Sequence, residues 1–173
     1  MKKILLGFLL VLFLGCDDGD LQIETLDFDN ANIQVCDNRP VTANATNVLF
    51  KLNDIETLIL ELPATAIKNE ITLSPITIGV SATGPGKITY RTFSAKVGKD
   101  YFCSEIPLTE PNVISEIVAT GGSVLIETTM STDSTKFEHA IVLSEISLKT
   151  SDDVRITDLR INNFGTVTTA VPE

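Results

Sequence analysis

Apolar and polar residues alternate along most of this chain, and this period of two constrains the fold more than any other feature. In the segment 47–53, the alternation places Val48, Phe50 and Leu52 on one face of a strand and Lys51 on the opposite face. Successive side chains of a strand point to opposite faces, whereas one face of a helix recurs about every 3.6 residues. The pattern therefore predicts β-strands, and no segment shows a convincing helical period.

Other strands are predicted wherever similar runs are bounded by turn-forming residues. They cover residues 21–25, 56–62, 87–93, 115–119, 123–130, 137–149 and 154–161. Asn53-Asp54 and Thr120-Gly121-Gly122 are each expected to close a hairpin, because these residue types accept the backbone angles of tight turns. A change of phase near Ser144-Glu145 predicts a β-bulge.

The expected fold class is all-β, with an antiparallel two-sheet β-sandwich as the architecture and a β-barrel as the alternative. About ten short strands separated by frequent turns are typical of such folds. The segment from Ile106-Pro107 to Glu110-Pro111 is expected to carry the chain from one sheet to the other, because proline interrupts a strand ladder. No linker divides the chain after residue 21, so residues 21–173 are predicted to form a single domain.

The first residues of the chain have the layout of a secretory signal. Lys2 and Lys3 precede the apolar run 4–14, which is followed by Gly15 and Cys16. A basic end, an apolar stretch and a small residue before the cleavage point are typical of signal peptides. The apolar run is shorter than the roughly 20 residues that a membrane-spanning helix needs. Residues 1–15 are therefore predicted to be a signal peptide.

Gly15 and Cys16 also resemble the end of the lipobox, the motif of bacterial lipoproteins. The resemblance implies cleavage between Gly15 and Cys16 and lipidation of Cys16, which becomes the mature N-terminus. Residues 16–20 then form a short acidic tether between the lipid and the domain. Two or more acyl chains anchor a protein stably. We expect a lipid-anchored protein of the cell envelope; an ordinary signal peptide with an incidental cysteine is the alternative.

The chain is strongly acidic, with a formal net charge of −10. Such a surface repels DNA, RNA and anionic lipid headgroups. We therefore expect no nucleic-acid partner, and we expect contact with the membrane to come through the N-terminal lipid.

Once Cys16 is assigned to the anchor, Cys36 and Cys103 remain. An even pair of cysteines in an exported protein predicts a disulfide, because the compartment is oxidising; two separate buried thiols are the alternative. His139 is the sole histidine, and no close pair of cysteines has the spacing of zinc ligands. We expect no metal and no cofactor.

The motifs that come closest to ligand sites each lack an essential residue. Gly79 and Gly84 have the spacing of a phosphate-binding loop, but Pro85 stands in place of the lysine and lacks the amide hydrogen that holds phosphate. Residues 27–30 begin like a calcium loop, but the later positions lack its glycine and its glutamate. A looser calcium site at 27–30 is left as an alternative to a solvated turn.

Catalysis is not favoured by the sequence. His139 lies in the middle of a predicted strand, with no nucleophile motif in the chain, so we interpret it as a packed or edge-exposed residue. Two carboxylates can hydrolyse a glycoside without any local motif. A hydrolytic enzyme of the envelope is therefore kept as the alternative to a non-catalytic protein.

Four aromatic residues, Tyr90, Phe93, Tyr101 and Phe102, lie close to Cys103 in the sequence. If they are exposed, they are candidates for a platform that binds a sugar or a peptide. If they are buried, they form core around the disulfide, which is the favoured interpretation.

Six motifs follow one another along the chain: CDDGD at 16–20, TLDFD at 25–29, VLFKLN at 48–53, YRTF at 90–93, YFCSEIP at 101–107 and GGSV at 121–124. In this order they resemble a group of uncharacterised flavobacterial-type (Bacteroidota) envelope lipoproteins. The resemblance implies an envelope lipoprotein of unknown role, with no catalytic residues to carry over. We expect a non-catalytic envelope protein, either a structural component or a module that binds glycan or protein. The acidic residues after Cys16 resemble a signal for export to the outer face of the outer membrane, so the outer membrane is favoured, with surface or periplasmic exposure.

Asp133-Ser134-Thr135 resembles the sites at which Bacteroidota attach O-glycans to exported proteins. This tripeptide lies between two predicted strands. It is therefore a candidate glycosylation site.

The predicted lipid anchor can be tested with the variant Cys16→Ser. The thioether to the acyl chains needs the Cys16 sulfur, so cells that express the variant should yield a chain without radioactive fatty acid, whereas the natural chain should be labelled. Fluorography after metabolic labelling with palmitate measures the difference. An unlabelled natural chain, or one that keeps residues 1–15, would contradict the prediction.

Overall fold

The structure, a computed structural model, describes residues 25–172; the predicted signal peptide, the lipidation site Cys16 and residues 21–24 lie outside the described residues. The described part of the chain forms strands β1 to β11 and one short helix, α1. In chain order they are β1 (Thr25–Asp27), β2 (Ile33–Gln34), β3 (Asn47–Asn53), β4 (Glu56–Leu62), β5 (Ile76–Gly79), β6 (Lys87–Phe93), α1 (Lys99–Cys103), β7 (Val113–Val118), β8 (Gly121–Met130), β9 (Lys136–Ser147), β10 (Asp158–Arg160) and β11 (Asn163–Ala170). The predicted all-β class is confirmed.

The strands form two main sheets. One is five-stranded, in the order β2-β3-β4-β6-β7, and the other is four-stranded, in the order β11-β9-β8-β5. All pairs within these two sheets are antiparallel. A separate parallel ladder joins β1 to β10. No sheet within the described residues closes into a barrel, so the architecture is the predicted β-sandwich.

The main core lies between the two sheets. Leu49 on β3, Leu60 on β4 and Ile88 on β6 stand in one cross-strand row and are fully buried. Strands β8 and β9 contribute further buried members of the same cluster: Val124, Ile126, Ile141 and Leu143. Each such side chain contributes about 1.5–3 kcal/mol when it leaves water, so this layer supplies much of the stability of the fold.

The two faces of β3 are as predicted, but burial does not follow the apolar alternation. Lys51 is only 2% exposed, whereas Val48 is 45% exposed. The Lys51 Nζ donates hydrogen bonds to the backbone carbonyls of Phe28 and Asn163, each at 2.7 Å. Burial lowers the pKa of Lys51, and the nearby Asp29 carboxylate partly offsets this effect. Because internal acceptors satisfy the ammonium, a charged residue occupies a position that alternation alone assigns to solvent.

The chain passes between the sheets at Thr120. Strand β7 pairs with β6 in the five-stranded sheet, while β8 pairs with β5 and β9 in the four-stranded sheet. The hairpin predicted at Thr120-Gly121-Gly122 is therefore wrong. The crossing predicted at 106–111 is wrong as well, because this segment leads from α1 back to β7 beside β6. Local residues mark turns, but long-range packing decides which strands pair across them.

Two further local predictions are confirmed, and one is wrong. Asn53 and Glu56 close the hairpin between β3 and β4, with Asp54 at a φ of 54°. Glu145 has a φ of 55°, and the register between β8 and β9 shifts beside it, as expected of a bulge. The predicted strand 154–161 is reduced to β10. Strand β11 follows it and was not predicted, since threonines and a glycine interrupt its apolar residues.

His139 lies in the interior of β9 and is fully buried. Its Nδ1 is 2.9 Å from the Thr128 hydroxyl, and its Nε2 is 2.9 Å from the Thr169 hydroxyl. Thr169 donates to Asn69 Oδ1, while the Asn69 amide donates to the Ala170 carbonyl. Thr169 therefore accepts the Nε2 proton, and Thr128 donates to Nδ1. The ring is neutral and burial lowers its pKa, so the interpretation of His139 as a packed strand residue is confirmed.

The burial of His139 predicts a loss of stability in mild acid. Below about pH 6.5 the unfolded chain takes up a proton at this residue, while the native state resists it, so the free energy of unfolding falls with falling pH. From about pH 7.5 to about pH 5.5 we expect a loss of about 1 kcal/mol, measured by urea unfolding. The variant His139→Gln cannot titrate and should lack this loss. The same pH dependence in both proteins would contradict the prediction.

Candidate binding site

The candidate site lies on the face of the five-stranded sheet that points away from the main core. On this outer face, Phe50 of β3, Ile59 of β4 and Thr89 of β6 form one cross-strand row. Their exposed fractions are 1%, 7% and 2%. An antiparallel sheet often leaves its second face to water. A second layer must therefore cover this row.

That layer is held by the disulfide between Cys36 and Cys103, whose Cα atoms are 5.2 Å apart. It joins the turn 36–39 to α1, and we call residues 36–39 and 99–103 together the cap. Within the cap, Asn38 Nδ2 donates to the Cys103 carbonyl at 3.3 Å, and Arg39 Nη2 donates to the Phe102 carbonyl at 2.6 Å. The predicted disulfide is present, and it fixes the cap over the outer face.

Aromatic rings fill the space between the cap and the sheet. The centroid of Phe102 is 4.7 Å from that of Phe50, and the centroid of Tyr101 is 4.9 Å from that of Phe93. Phe93 is buried, and Tyr90 lies in the main core on the opposite face of the sheet. The four candidate residues therefore do not form an exposed aromatic platform. Phe93 packs beneath the cap instead, and the half-buried rings of Tyr101 and Phe102 form the side of the cap that faces the sheet.

A groove of about 360 Å³ opens between the cap, the segment 40–48 and the outer face of the sheet. Its floor and one wall are apolar and come from Phe50, Ile59 and Phe102. Arg39, Glu61, Thr89 and Arg91 are among its polar lining residues. Sites for small ligands commonly measure about 300–1,000 Å³ and combine apolar walls with a few polar groups. The groove fits that description at the small end of the range.

Two of the three charged residues that line the groove are arginines. Arg91 uses its Nε in an ion pair with Glu116 of β7, and Glu61 lies 3.5 Å from the Lys87 ammonium. Arg39 uses its Nη2 within the cap, where it donates to the Phe102 carbonyl and to the Cys36 sulfur. A guanidinium carries five N–H donors, so both arginines retain donors that a ligand can engage.

The groove does not contain either of the two hydrolytic schemes. Glu61 is the one carboxylate among the lining residues of the groove, whereas paired acids must lie within about 5–10 Å of each other around the substrate. His139 is fully buried in the four-stranded sheet and does not line the groove.

The calcium-like segment 27–30 lies at the end of β1, where Asp27, Asn30 and Asn53 border a second depression. Within residues 25–172, no group of three or more histidine, cysteine, aspartate or glutamate side chains could hold a metal ion. Residues 28–31 form a turn in which the Ala31 amide donates to the Phe28 carbonyl, and the looser calcium site at 27–30 stays an untested alternative.

The candidate glycosylation site Asp133-Ser134-Thr135 forms the exposed turn between β8 and β9. Asp133 Oδ1 accepts hydrogen bonds from the hydroxyls of Ser131 and Thr135, at 2.7 and 2.8 Å. These bonds lower the pKa of Asp133 to about 2. Thr135 thus has its hydroxyl engaged, whereas Ser134 stands exposed at the tip; glycosylation here stays a prediction.

The sequence analysis did not identify Arg39, Glu61 or Arg91 as a site. Glu61 and Arg91 occupy outward positions on their strands, which the alternation assigns to solvent. Arg39 reaches the same face because the disulfide holds the turn at Cys36 there. The one signal in the sequence is the position of Arg39 three residues after a cysteine of the predicted disulfide.

Comparison of the chain with known protein families, curated proteins and solved structures finds no match. Among the described residues, no helix is long and apolar enough to cross a membrane. The site must therefore be interpreted from its own geometry.

The disulfide predicts a large effect of the variant Cys36→Ser on stability. Removing a link that closes a 67-residue loop should cost roughly 4 kcal/mol in the chain-entropy model. Urea unfolding of the oxidised proteins measures the loss. Reductant should destabilise the natural chain and leave the variant unchanged. Equal stability of the natural chain with and without reductant would contradict the prediction.

Proposed function

We propose that this chain is a lipid-anchored, non-catalytic binding module of the bacterial cell envelope, with the groove as its ligand site. The observation that carries the proposal is the groove itself, which measures about 360 Å³ and combines an apolar floor with arginine side chains. The cap holds this groove open over a sheet face that would otherwise be flat.

Two observations support a position in the envelope. Disulfides persist in oxidising compartments outside the cytosol, and the bond between Cys36 and Cys103 ties the cap. The Gly15-Cys16 sequence supports cleavage and lipidation. The resemblance to Bacteroidota lipoproteins favours the outer membrane.

The size of the groove supports binding of one chemical group at a time. A stable interface between two proteins buries about 800 Å² on each partner, whereas this groove accommodates a chain end, a side chain or a single ring. The ligand in this proposal is therefore a small molecule, or the end of a glycan or a polypeptide. A lining with a single carboxylate, Glu61, and no histidine supports binding without hydrolysis.

Site-specific photocrosslinking in intact cells tests this proposal. A small diazirine amino acid is introduced at Val48, which lines the groove and is 45% exposed. We expect a covalent adduct in the light, because a ligand in the groove lies against this position. Mass spectrometry of the isolated protein then identifies what is attached.

Val142 provides the matched control. It is 42% exposed and lies on β9 of the four-stranded sheet, away from the groove. The same diazirine residue at Val142 should give no adduct beyond the background. Equal labelling at the two positions, or no adduct at Val48, would overturn the proposed function.

A further inference from the structure

We propose that the groove selects organic carboxylates that carry a compact apolar body, such as a single aromatic ring. This inference rests on the proposed function, because it assumes that the groove is the ligand site. It adds the chemical class of the ligand, which the fold alone does not give.

The apolar part of the ligand is indicated by the floor of the groove. The accessible apolar surface comes from Val48, which is 45% exposed, and from the half-buried Phe102. Phe50 and Ile59 are almost fully buried and support it from behind, with the Phe50 centroid 4.7 Å from that of Phe102. Together these side chains form a firm surface, since the disulfide holds the helix that carries Phe102. A ring or a short branched chain can displace water from such a surface without rearranging it.

The charged part of the ligand is indicated by the two arginines. In a chain with a net charge of −10, the lining of the groove has Arg39 and Arg91 against a single acid, Glu61. Glu61 lies close to the Lys87 ammonium, which reduces its repulsion of an anion. The planar guanidinium matches the two oxygens of a carboxylate and binds them more strongly than it binds neutral acceptors.

Other ligand classes fit the same lining less well. An ammonium compound would meet two guanidinium groups, and the acid that could attract it lies beside Lys87. A neutral alcohol would use the apolar floor but would make no charge-assisted hydrogen bond to the arginines. The order of affinity should therefore be acid, then alcohol, then amine.

Fluorine NMR with three matched probes tests this order: 4-fluorobenzoate, 4-fluorobenzyl alcohol and 4-fluorobenzylamine. The mature lipoprotein is placed in nanodiscs of zwitterionic lipid, and empty nanodiscs correct for partition of the probes into lipid. We expect millimolar binding of the benzoate, at least fivefold weaker binding of the alcohol and no measurable binding of the amine.

The variant Arg91→Gln should weaken benzoate binding about tenfold, because it removes a charged hydrogen-bond partner. Arg39→Gln should have a similar effect, and its thermal melting curve shows whether loss of the bond to the Phe102 carbonyl also loosens the cap. Arg155→Gln removes the same charge from an exposed position outside the groove. This control should change the affinity less than twofold.

The possible results separate the two proposals. The carboxylate inference is wrong if the alcohol binds as tightly as the benzoate. It is also wrong if Arg91→Gln and Arg155→Gln change the benzoate affinity equally. In either case, loss of binding in Val48→Phe would show that the groove is still a ligand site. If none of the probes binds and no adduct forms at Val48 in cells, both proposals fall. A tenfold loss confined to the two groove arginines supports both.

Discussion

The five-stranded sheet is covered on both faces, and the features that distinguish this sandwich depend on that double burial. One face of β3 and β4 packs into the main core, while Phe50 and Ile59 on the other face lie beneath the cap. The cap contains few residues and its helix has no buried residue of its own. Its position therefore depends on the bond between Cys36 and Cys103, with the rings beneath it completing the packing.

The groove is a consequence of how little of the outer face the cap covers. The rings of Phe93, Tyr101 and Phe102 pack against one another over one part of the outer face. The groove opens beside them, against the segment 40–48. An apolar floor exposed without walls would be an aggregation hazard. Arg39 and Arg91 place charged groups at the border of this groove.

Much of the fold could be predicted from the sequence because strands are encoded by local alternation. The bounds of β3, β4 and β6 follow from it, as do the turn at Asp54 and the bulge at Glu145. Strand partners could not be predicted in the same way. The turn after β7 has the residues of a hairpin, yet it joins two sheets, because the partners of β7 and β8 are chosen by burial over long sequence distances.

Some features of the candidate site could likewise be predicted from the sequence, whereas others depend on long-range packing. The two cysteines were predicted to pair from their number and the expected compartment, and the aromatic cluster was expected to pack around them. The role of Arg39 and Arg91 could not be predicted, because each has the sequence context of an ordinary solvated residue. Only the disulfide, which holds the turn with Arg39 over the outer face of the sheet, brings both residues to one groove. The burial of Lys51 could not be predicted for a related reason: its acceptors come from distant segments that no local pattern reveals.

The two carbonyl acceptors of Lys51 also affect the order in which the protein can fold. Lys51 takes one carbonyl from a residue 23 positions before it and the other from a residue 112 positions after it. During synthesis Phe28 is made before Lys51, whereas Asn163 is made long after it. The ammonium therefore stays hydrated until β11 has been synthesised and has packed. Premature closure would leave a bare charge in the interior at a cost of several kcal/mol. Burial of the Lys51 ammonium therefore depends on β11, the last strand of the described residues.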